Sequence, residues 1–181
     1  HKRSLILRRI SKDALKIVPR IEEILGTREG YSGQLQRWRL PAITTSNDPS
    51  SSILARQSRV SDRQIDIFGC ELESDKQRFK GDPHDLIVFD EGTDFVESQY
   101  RFIIGWNRSV DPGQRCRVLV TSNPPTTAEG LWVIRYWAPW LDPTHPHPAK
   151  PNELRWFTTI AGEDREVDGP GPHHIPGEPR P

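Results

Sequence analysis

Two short runs of apolar residues, each ending in polar side chains, dominate the pattern of the chain. The first, residues 86–89, is followed directly by the carboxylates Asp90 and Glu91. The second, residues 118–120, is followed by small polar residues and then by two prolines: Thr121, Ser122, Asn123, Pro124 and Pro125. Such runs predict strands that are buried on both faces of a sheet, and the prolines end the second strand.

The segment between these runs has apolar residues at helical spacing. Phe95, Tyr100 and Ile103 lie on one stripe, and Thr93 or Asp94 is placed to cap the helix. A strand, a helix and a second strand at this spacing predict a crossover unit with parallel strands. The two carboxylates and the polar residues 121–123 should therefore project from the same edge of one sheet, where α/β proteins bind nucleotides.

The remaining pattern extends this α/β prediction. Residues 4–10 and the pair of segments 35–40 and 65–70 predict further strands, and the last two are expected to pair with each other. Ser11 should cap a helix that Pro19 kinks or divides and Gly26 ends. Residues 44–62 are predicted to be a solvated loop, and residues 131–141 a helix packed against the sheet and ended by Pro139.

Composition narrows the classes of function. The 181 residues carry 25 basic and 25 acidic side chains, which argues against a domain that holds DNA tightly and statically. Two cysteines give neither a metal spacing nor a disulfide framework, and no apolar run is long enough to cross a membrane. Most members of the basic clusters are expected to be solvated surface: Lys2, Arg3, Arg8, Arg9, Arg37 and Arg39.

With these motifs in order, the sequence resembles the large terminase subunit of tailed bacteriophages, the ATP-driven motor that packages DNA. Residues 86–91 resemble its Walker B motif and residues 121–125 its coupling motif. Residues 77–81 before the acidic strand, and residues 154–160 followed by a charged turn and residues 167–170, fit the same family. The resemblance covers most of residues 1–170.

The resemblance implies a set of roles for the polar edge. Asp90 would orient the hydration shell of Mg²⁺, and Glu91 would act as general base toward the water that attacks ATP. Asn123, with Ser122 or Thr121, would sense the γ-phosphate and pass its loss to the parts that grip double-stranded DNA. The implied partners are the portal protein, the small terminase subunit and further copies in a motor ring, in the cytoplasm of the bacterial host.

The resemblance also implies an organisation in two parts. Residues 1–167 are expected to form part of an ATPase domain with a mostly parallel P-loop sheet, incomplete at its N-terminus. Residues 168–181, rich in Gly and Pro, are expected to form a linker toward a nuclease domain that the chain lacks. No G-x-x-x-x-G-K-[ST] loop occurs in the sequence, so that loop is expected upstream of His1 and the fragment alone to be inactive.

Two other interpretations remain open. The chain is also compatible with another ATPase of the same broad fold, such as a helicase core. Helicases usually carry a Ser-Ala-Thr type motif on the strand after Walker B, and residues 121–125 differ from it. The second interpretation is a degenerate prophage remnant that keeps the fold without hydrolysis, against which the intact Asp90 and Glu91 argue.

Overall fold

A computed structural model describes residues 1–41 and 60–169, which form a mixed α/β structure around a six-stranded sheet. The strands of this sheet are β1 (Arg3–Arg8), β2 (Tyr31–Ser32), β3 (Arg37–Pro41), β4 (Val60–Gly69), β5 (Leu86–Asp90) and β6 (Arg117–Thr121). The helices are α1 (Ser11–Ala14), α2 (Ile17–Leu25), α3 (Glu97–Ile104), α4 (Trp132–Tyr136) and α5 (Ala138–Leu141). Short 3₁₀ segments lie at Glu73–Phe79, Gly92–Asp94 and Ala128–Leu131.

Four neighbouring strands of the sheet are parallel. The spatial order is β2-β3-β4-β1-β5-β6, in which β4, β1, β5 and β6 run in one direction and β3 is antiparallel to β2 and β4. The predicted pairing of the segments 35–40 and 65–70 is confirmed by β3 and β4. The predicted parallel crossover is confirmed as well, because β5, α3 and β6 follow each other with β5 and β6 adjacent.

The chain divides into two compact units, His1–Tyr136 and Trp137–Pro181. The first contains the sheet. The described part of the second contains α5 and a hairpin of β7 (Trp156–Ile160) and β8 (Glu163–Val167), and the Trp140 indole N–H donates to the Glu153 carbonyl over 3.1 Å. A single ATPase domain over residues 1–167 stays a prediction, and the predicted linker lies outside the described residues from position 170 onward.

The first helical segment breaks before its proline, not at it. α1 and α2 are separated at Leu15 and Lys16, and Pro19 is the third residue of α2. The first four N–H groups of a helix have no acceptor within it, so a proline there removes no helical hydrogen bond. Gly26 ends α2 at φ 69°, as predicted.

Two predicted caps are wrong. Ser11 is the first residue of α1, and its backbone N–H is satisfied by the Glu71 carboxylate over 2.9 Å. Thr93 and Asp94 belong to the 3₁₀ turn that precedes α3. The N–H of Val96, at the start of α3, is satisfied instead by the Gln99 side chain over 3.2 Å.

Both faces of the sheet carry apolar clusters. On one face, α1 and α2 place Ala14 and Val18 against Trp38 and Ile67. Around β5 and α3 lies an aromatic cluster, with the Tyr100 ring 5.1 Å from Phe89 and 4.9 Å from Trp132 between centroids: Phe89, Phe95, Tyr100, Trp132 and Tyr136. The Trp132 indole N–H donates to the Phe95 carbonyl over 2.7 Å, so this tryptophan is core, as predicted.

Three details of the predicted elements are wrong. Strand β6 is not buried on both faces, because it is an edge strand with Leu119 49% exposed. Residues 131–141 form two short helices, α4 and α5, and Pro139 lies in the first turn of α5 rather than ending a helix. The predicted loop 44–62 lies outside the described residues up to position 59, and residues 60–62 belong to β4.

No helix in residues 1–41 or 60–169 is long and apolar enough to span a membrane.

A buried ionic cluster connects β3, β4 and the start of β5. The fully buried Asp66 accepts hydrogen bonds from the Arg37 guanidinium, from His84 Nε2 over 3.1 Å and from the Gln64 amide over 3.0 Å. His84 Nδ1 lies 3.0 Å from the Asp82 carbonyl oxygen, so each ring nitrogen is beside an oxygen atom. Burial raises the pKa of Asp66, but the hydrogen bonds from His84 and Arg37 outweigh it and hold the pKa below its ordinary value.

This cluster predicts a large effect of Asp66→Asn on stability. Removing the charge of this buried carboxylate leaves the Arg37 guanidinium without its paired counter-charge, so the free energy of unfolding at pH 7 should fall by about 3–5 kcal/mol. Because the pKa of Asp66 is lowered in the folded state, its contribution is present above the ordinary carboxyl value of 3.8 and is lost as the pH falls through the folded-state value. Urea unfolding at several pH values measures both effects.

The matched control is Asp111→Asn, which removes an exposed carboxylate 3.0 Å from Lys2 Nζ. Exposed ion pairs contribute little, so this variant should lose less than about 1 kcal/mol. Equal losses for the two variants would contradict the assignment of the Asp66 cluster as a buried stabilising network.

Candidate functional site

The candidate site lies at the carboxyl ends of β5 and β6. The two strands pair in parallel, and Asp90, the last residue of β5, is opposite Thr121, the last residue of β6. Glu91 follows Asp90, and Ser122 and Asn123 follow Thr121. All five predicted site residues are therefore brought together at one edge of the sheet, as the parallel pairing predicted.

Both oxygens of the Asp90 carboxylate have donors. Thr121 Oγ1 donates to Oδ1 over 2.9 Å, which joins the ends of β5 and β6 through side chains. Arg8 Nε donates to Oδ2 over 2.6 Å, from the end of β1 on the other side of β5. A carboxylate offers about four lone-pair directions, so these two bonds leave acceptor capacity for a further ligand.

Glu91 adopts a backbone conformation that is unusual for a residue with a side chain. Its φ of 58° and ψ of 57° lie in the left-handed region, immediately after the strand ends. Its Oε2 lies 3.5 Å from the Asn123 amide nitrogen, a long contact at the limit of a hydrogen bond. The predicted direction of Asn123 toward Glu91 is confirmed. Strain held at such a position is characteristic of functional sites.

The turn after Glu91 lies directly on β6. A Cβ atom on Gly92 would be 2.3 Å from Val120 Cγ1, which no real contact allows. Gly130 lies in the segment before α4, and a Cβ atom there would be 2.6 Å from the carbonyl oxygen of Thr93, which belongs to the turn after Glu91. A Cβ at either position would force a neighbouring group to shift, so glycine allows the chain to approach this closely. The 3₁₀ turn Gly92–Asp94 is consequently held between β6 and the segment before α4.

The Ser122 hydroxyl is used within the protein. It accepts from the backbone N–H of Thr93 over 3.1 Å and lies 2.7 Å from Thr93 Oγ1. It also donates to the Asn123 carbonyl over 2.9 Å. Thr93 Oγ1 lies 3.5 Å from the same carbonyl, so the two hydroxyls and this carbonyl form one small network. Ser122 therefore joins the turn after β5 to the turn after β6, and its predicted contact with a phosphate stays a prediction.

The donor set fits Mg²⁺ only as a site completed by other ligands. Among the described residues, no group of three or more His, Cys, Asp and Glu side chains is arranged to hold a metal ion. Two adjacent carboxylates and a threonine hydroxyl are hard oxygen donors, and Mg²⁺ keeps several waters and takes phosphate oxygens alongside one or two carboxylates. Asp90 and Glu91 fit that pattern, whereas an all-protein metal cage does not form here.

Sequence reasoning missed the role of Arg8. Its cluster was expected to be mostly solvated surface, whereas the structure pairs Arg8 with Asp90, Arg3 with Asp82 and Arg9 with the buried Gln99. A signal did exist, because a strand neighbouring the acidic strand in a parallel sheet ends at the same edge. The strand beside β5 is determined by the order of strands in the sheet. The pattern of apolar and polar residues does not predict that order.

A cavity of about 280 Å³ lies at the opposite edge of the sheet, where β1 and β5 begin. Its lining includes Lys2, Arg3, Arg108 and Asp111. Two of these cations are already paired, Lys2 with Asp111 over 3.0 Å and Arg3 with Asp82 over 2.5 Å. Lys2 and Arg3 are therefore already paired with carboxylates, and the cavity is remote from the carboxylates that the sequence singled out.

The left-handed conformation at position 91 predicts that glycine is more stable there than alanine. A Cβ in this region costs about 1 kcal/mol, so Glu91→Gly should have a higher free energy of unfolding than Glu91→Ala by roughly that amount. Asp94, three residues on, has no positive φ. There the order should reverse, with Asp94→Ala more stable than Asp94→Gly. Chemical denaturation of the four variants tests this. Equal stability of the two position-91 variants would show that a Cβ atom causes no backbone strain at this position.

Comparison of the chain with models of protein families, with curated proteins and with solved structures finds no match in any of the three.

Proposed function

We propose that the chain is the ATPase part of a phage large terminase subunit, which drives viral DNA into a capsid. The observation that carries this proposal is the convergence of Asp90, Glu91 and Asn123 at the shared carboxyl edge of β5 and β6. An acidic pair beside an amide from the neighbouring parallel strand is the arrangement that the Walker B and coupling motifs require.

The proposed chemistry assigns one task to each side chain. When bound, Mg²⁺ and ATP supply the electrophilic phosphorus and the charge neutralisation that hydrolysis needs. Glu91 accepts the proton of the attacking water, and Asp90 orients the metal's hydration shell. Asn123, in contact with Glu91, is placed to respond when the γ-phosphate is present or gone. Thr121 keeps Asp90 in position through its hydroxyl.

The edge strand β6 is compatible with a larger sheet. β6 has β5 as its one strand partner in the described structure, and Leu119 at its centre is 49% exposed. The proposal places the phosphate-binding loop and its strand beside β6, from a segment outside these 181 residues. Such a strand would pair with the free edge and cover the exposed apolar side chain.

The balanced charge suits a motor that contacts double-stranded DNA transiently and through part of each subunit. Under this proposal the partners are DNA, the portal protein, the small terminase subunit and neighbouring copies in a ring, in the bacterial host cytoplasm. A helicase core would use the same acidic pair, and a degenerate remnant would keep the fold alone. The experiments below separate the degenerate remnant from an active ATPase.

In the intact protein, Glu91→Gln should leave ATP binding in place and slow hydrolysis by about 10²–10⁴-fold, the usual contribution of a positioned base. Asp90→Asn should also weaken Mg²⁺-dependent nucleotide binding, because it removes the charge that faces the metal. Phosphate release measures the first effect and calorimetry with ATP and Mg²⁺ the second.

The control for both variants is Asp94→Asn, which changes an exposed carboxylate in the adjacent turn. It should hydrolyse ATP at the rate of the unchanged protein. Normal hydrolysis by the Glu91 variant would show that another residue is the base. No hydrolysis by the intact protein itself, with or without DNA, would favour the degenerate remnant.

The chain of residues 1–181 alone should show no appreciable ATPase activity and very weak nucleotide affinity. Most phosphate-binding energy in this class of enzyme comes from backbone N–H groups and the lysine of the phosphate loop, and no such motif occurs in the sequence. Phosphate release by the purified chain tests this, with the Glu91→Gln chain as control for contaminating enzymes. Steady turnover that this substitution abolishes would mean that a phosphate site exists within the chain.

A further inference from the structure

The ion pair between Arg8 and Asp90 joins two neighbouring parallel strands at the candidate site. Arg8 ends β1 and Asp90 ends β5, and the strands pair in register up to Leu7 and Phe89. The guanidinium Nε donates to Oδ2 over 2.6 Å, and both side chains remain a little more than one quarter exposed, 28% and 27%. The pair is therefore in close contact and also reachable from solvent.

Asp90 is the hydrogen-bond acceptor of Arg8 within the described residues, and Asp13 is a further carboxylate whose charge interacts with that of Arg8. Its Nε is bonded to Asp90, and its two terminal NH₂ groups make no hydrogen bond or ion pair with residues 1–41 or 60–169. A guanidinium offers five N–H donors, so four of them are available to another anion at this edge. Phosphate oxygens are the acceptors that this planar group binds best.

We propose that Arg8 is a counter-ion that competes with the divalent metal for Asp90, so that metal binds well only together with a nucleotide. This inference rests on the proposed ATPase function. It adds that metal does not bind well to the site before the nucleotide does. Without nucleotide, a metal ion approaching Oδ2 meets a guanidinium already in contact with that oxygen. The repulsion between two cations then opposes binding.

A bound nucleotide removes this opposition. Its phosphates bring several negative charges to the edge, which offset the repulsion between the metal and Arg8. The terminal NH₂ groups of Arg8 also gain acceptors, so Arg8 can leave Asp90 without becoming an unpaired cation. Thr121 keeps its bond to the other oxygen, Oδ1, and so maintains the carboxylate orientation during the exchange.

The competition predicts that removal of Arg8 strengthens metal binding in the absence of nucleotide. In the 181-residue chain, Arg8→Gln should raise the apparent affinity for Mn²⁺ at Asp90 by roughly three- to tenfold, since a partly exposed opposing charge is removed. Paramagnetic broadening of the backbone amide signals of residues 89–92 and 121–122 in a Mn²⁺ titration localises and measures this binding.

Arg3→Gln is the matched control. Arg3 lies on the same strand as Arg8 and also pairs with an aspartate, Asp82, but at the opposite end of β1. Its removal should leave Mn²⁺ broadening at residues 89–92 unchanged. A purely structural Arg8 would give the opposite sign, because losing a positioning group would weaken the Asp90 site. Unchanged or weaker Mn²⁺ binding by a folded Arg8→Gln chain would overturn the proposal.

A second measurement needs no substitution and covers the case in which Arg8→Gln fails to fold. When Mg²⁺ alone is raised to millimolar concentrations, the Arg8 Nε–H signal of the unchanged chain should shift and exchange faster with water as Asp90 is taken by metal. The Arg3 Nε–H signal should not change. An Arg8 signal that stays protected while amides 89–92 report bound metal would show that the two cations do not compete.

These outcomes are independent of the proposed ATPase activity. Stronger Mn²⁺ binding by Arg8→Gln, together with an intact protein that never hydrolyses ATP, would support the competition and reject the enzyme. Normal hydrolysis with no effect of Arg8 on metal binding would support the enzyme and reject the competition.

Discussion

The candidate site depends on the parallel, in-register pairing of β5 with β6. This pairing sets Asp90 opposite Thr121, so a carboxylate and a hydroxyl meet over 2.9 Å at the point where both strands end. A slip of one residue would turn the side chains of β6 to the other face of the sheet. The left-handed Glu91, the close contact at Gly92 and the hydroxyl of Ser122 are each arranged around that register.

Asp66 and Asp90 differ in their burial and in the groups that donate hydrogen bonds to their carboxylates. Asp66 is fully buried and surrounded by Arg37, His84 and Gln64, so its oxygens face only the protein. Asp90 is partly exposed and has one cation and one hydroxyl as donors. The first arrangement stabilises the fold and is closed to ligands, whereas the second leaves lone pairs directed toward solvent. Partial exposure is what distinguishes the Asp90 carboxylate from a fully buried one such as Asp66.

The amino-acid sequence was sufficient to predict the parallel crossover and the meeting of residues 90–91 with residues 121–123, because apolar runs and parallel geometry determine them locally. It was insufficient for interactions that depend on the order of strands. Arg8 reaches Asp90 because β1 lies beside β5, although more than seventy residues separate them in the chain. Helix starts were also misjudged, since the N–H groups of Ser11 and Val96 are satisfied by side chains from other positions, Glu71 and Gln99. The exposure of β6 follows from its place at the sheet edge, which its apolar sequence does not reveal.

The close packing of Gly92 on Val120 limits which substitutions this position can accept. Every missense change in the codon for position 92 adds at least a Cβ atom, which would lie 2.3 Å from a methyl group of β6. Such a change would force Val120 or the turn to shift where β5 and β6 end, while leaving every acidic residue in the gene untouched. A copy of the gene released from selection should therefore accumulate substitutions at this glycine as readily as at the carboxylates. The glycine codon is thus as informative about an intact site as the acidic pair beside it.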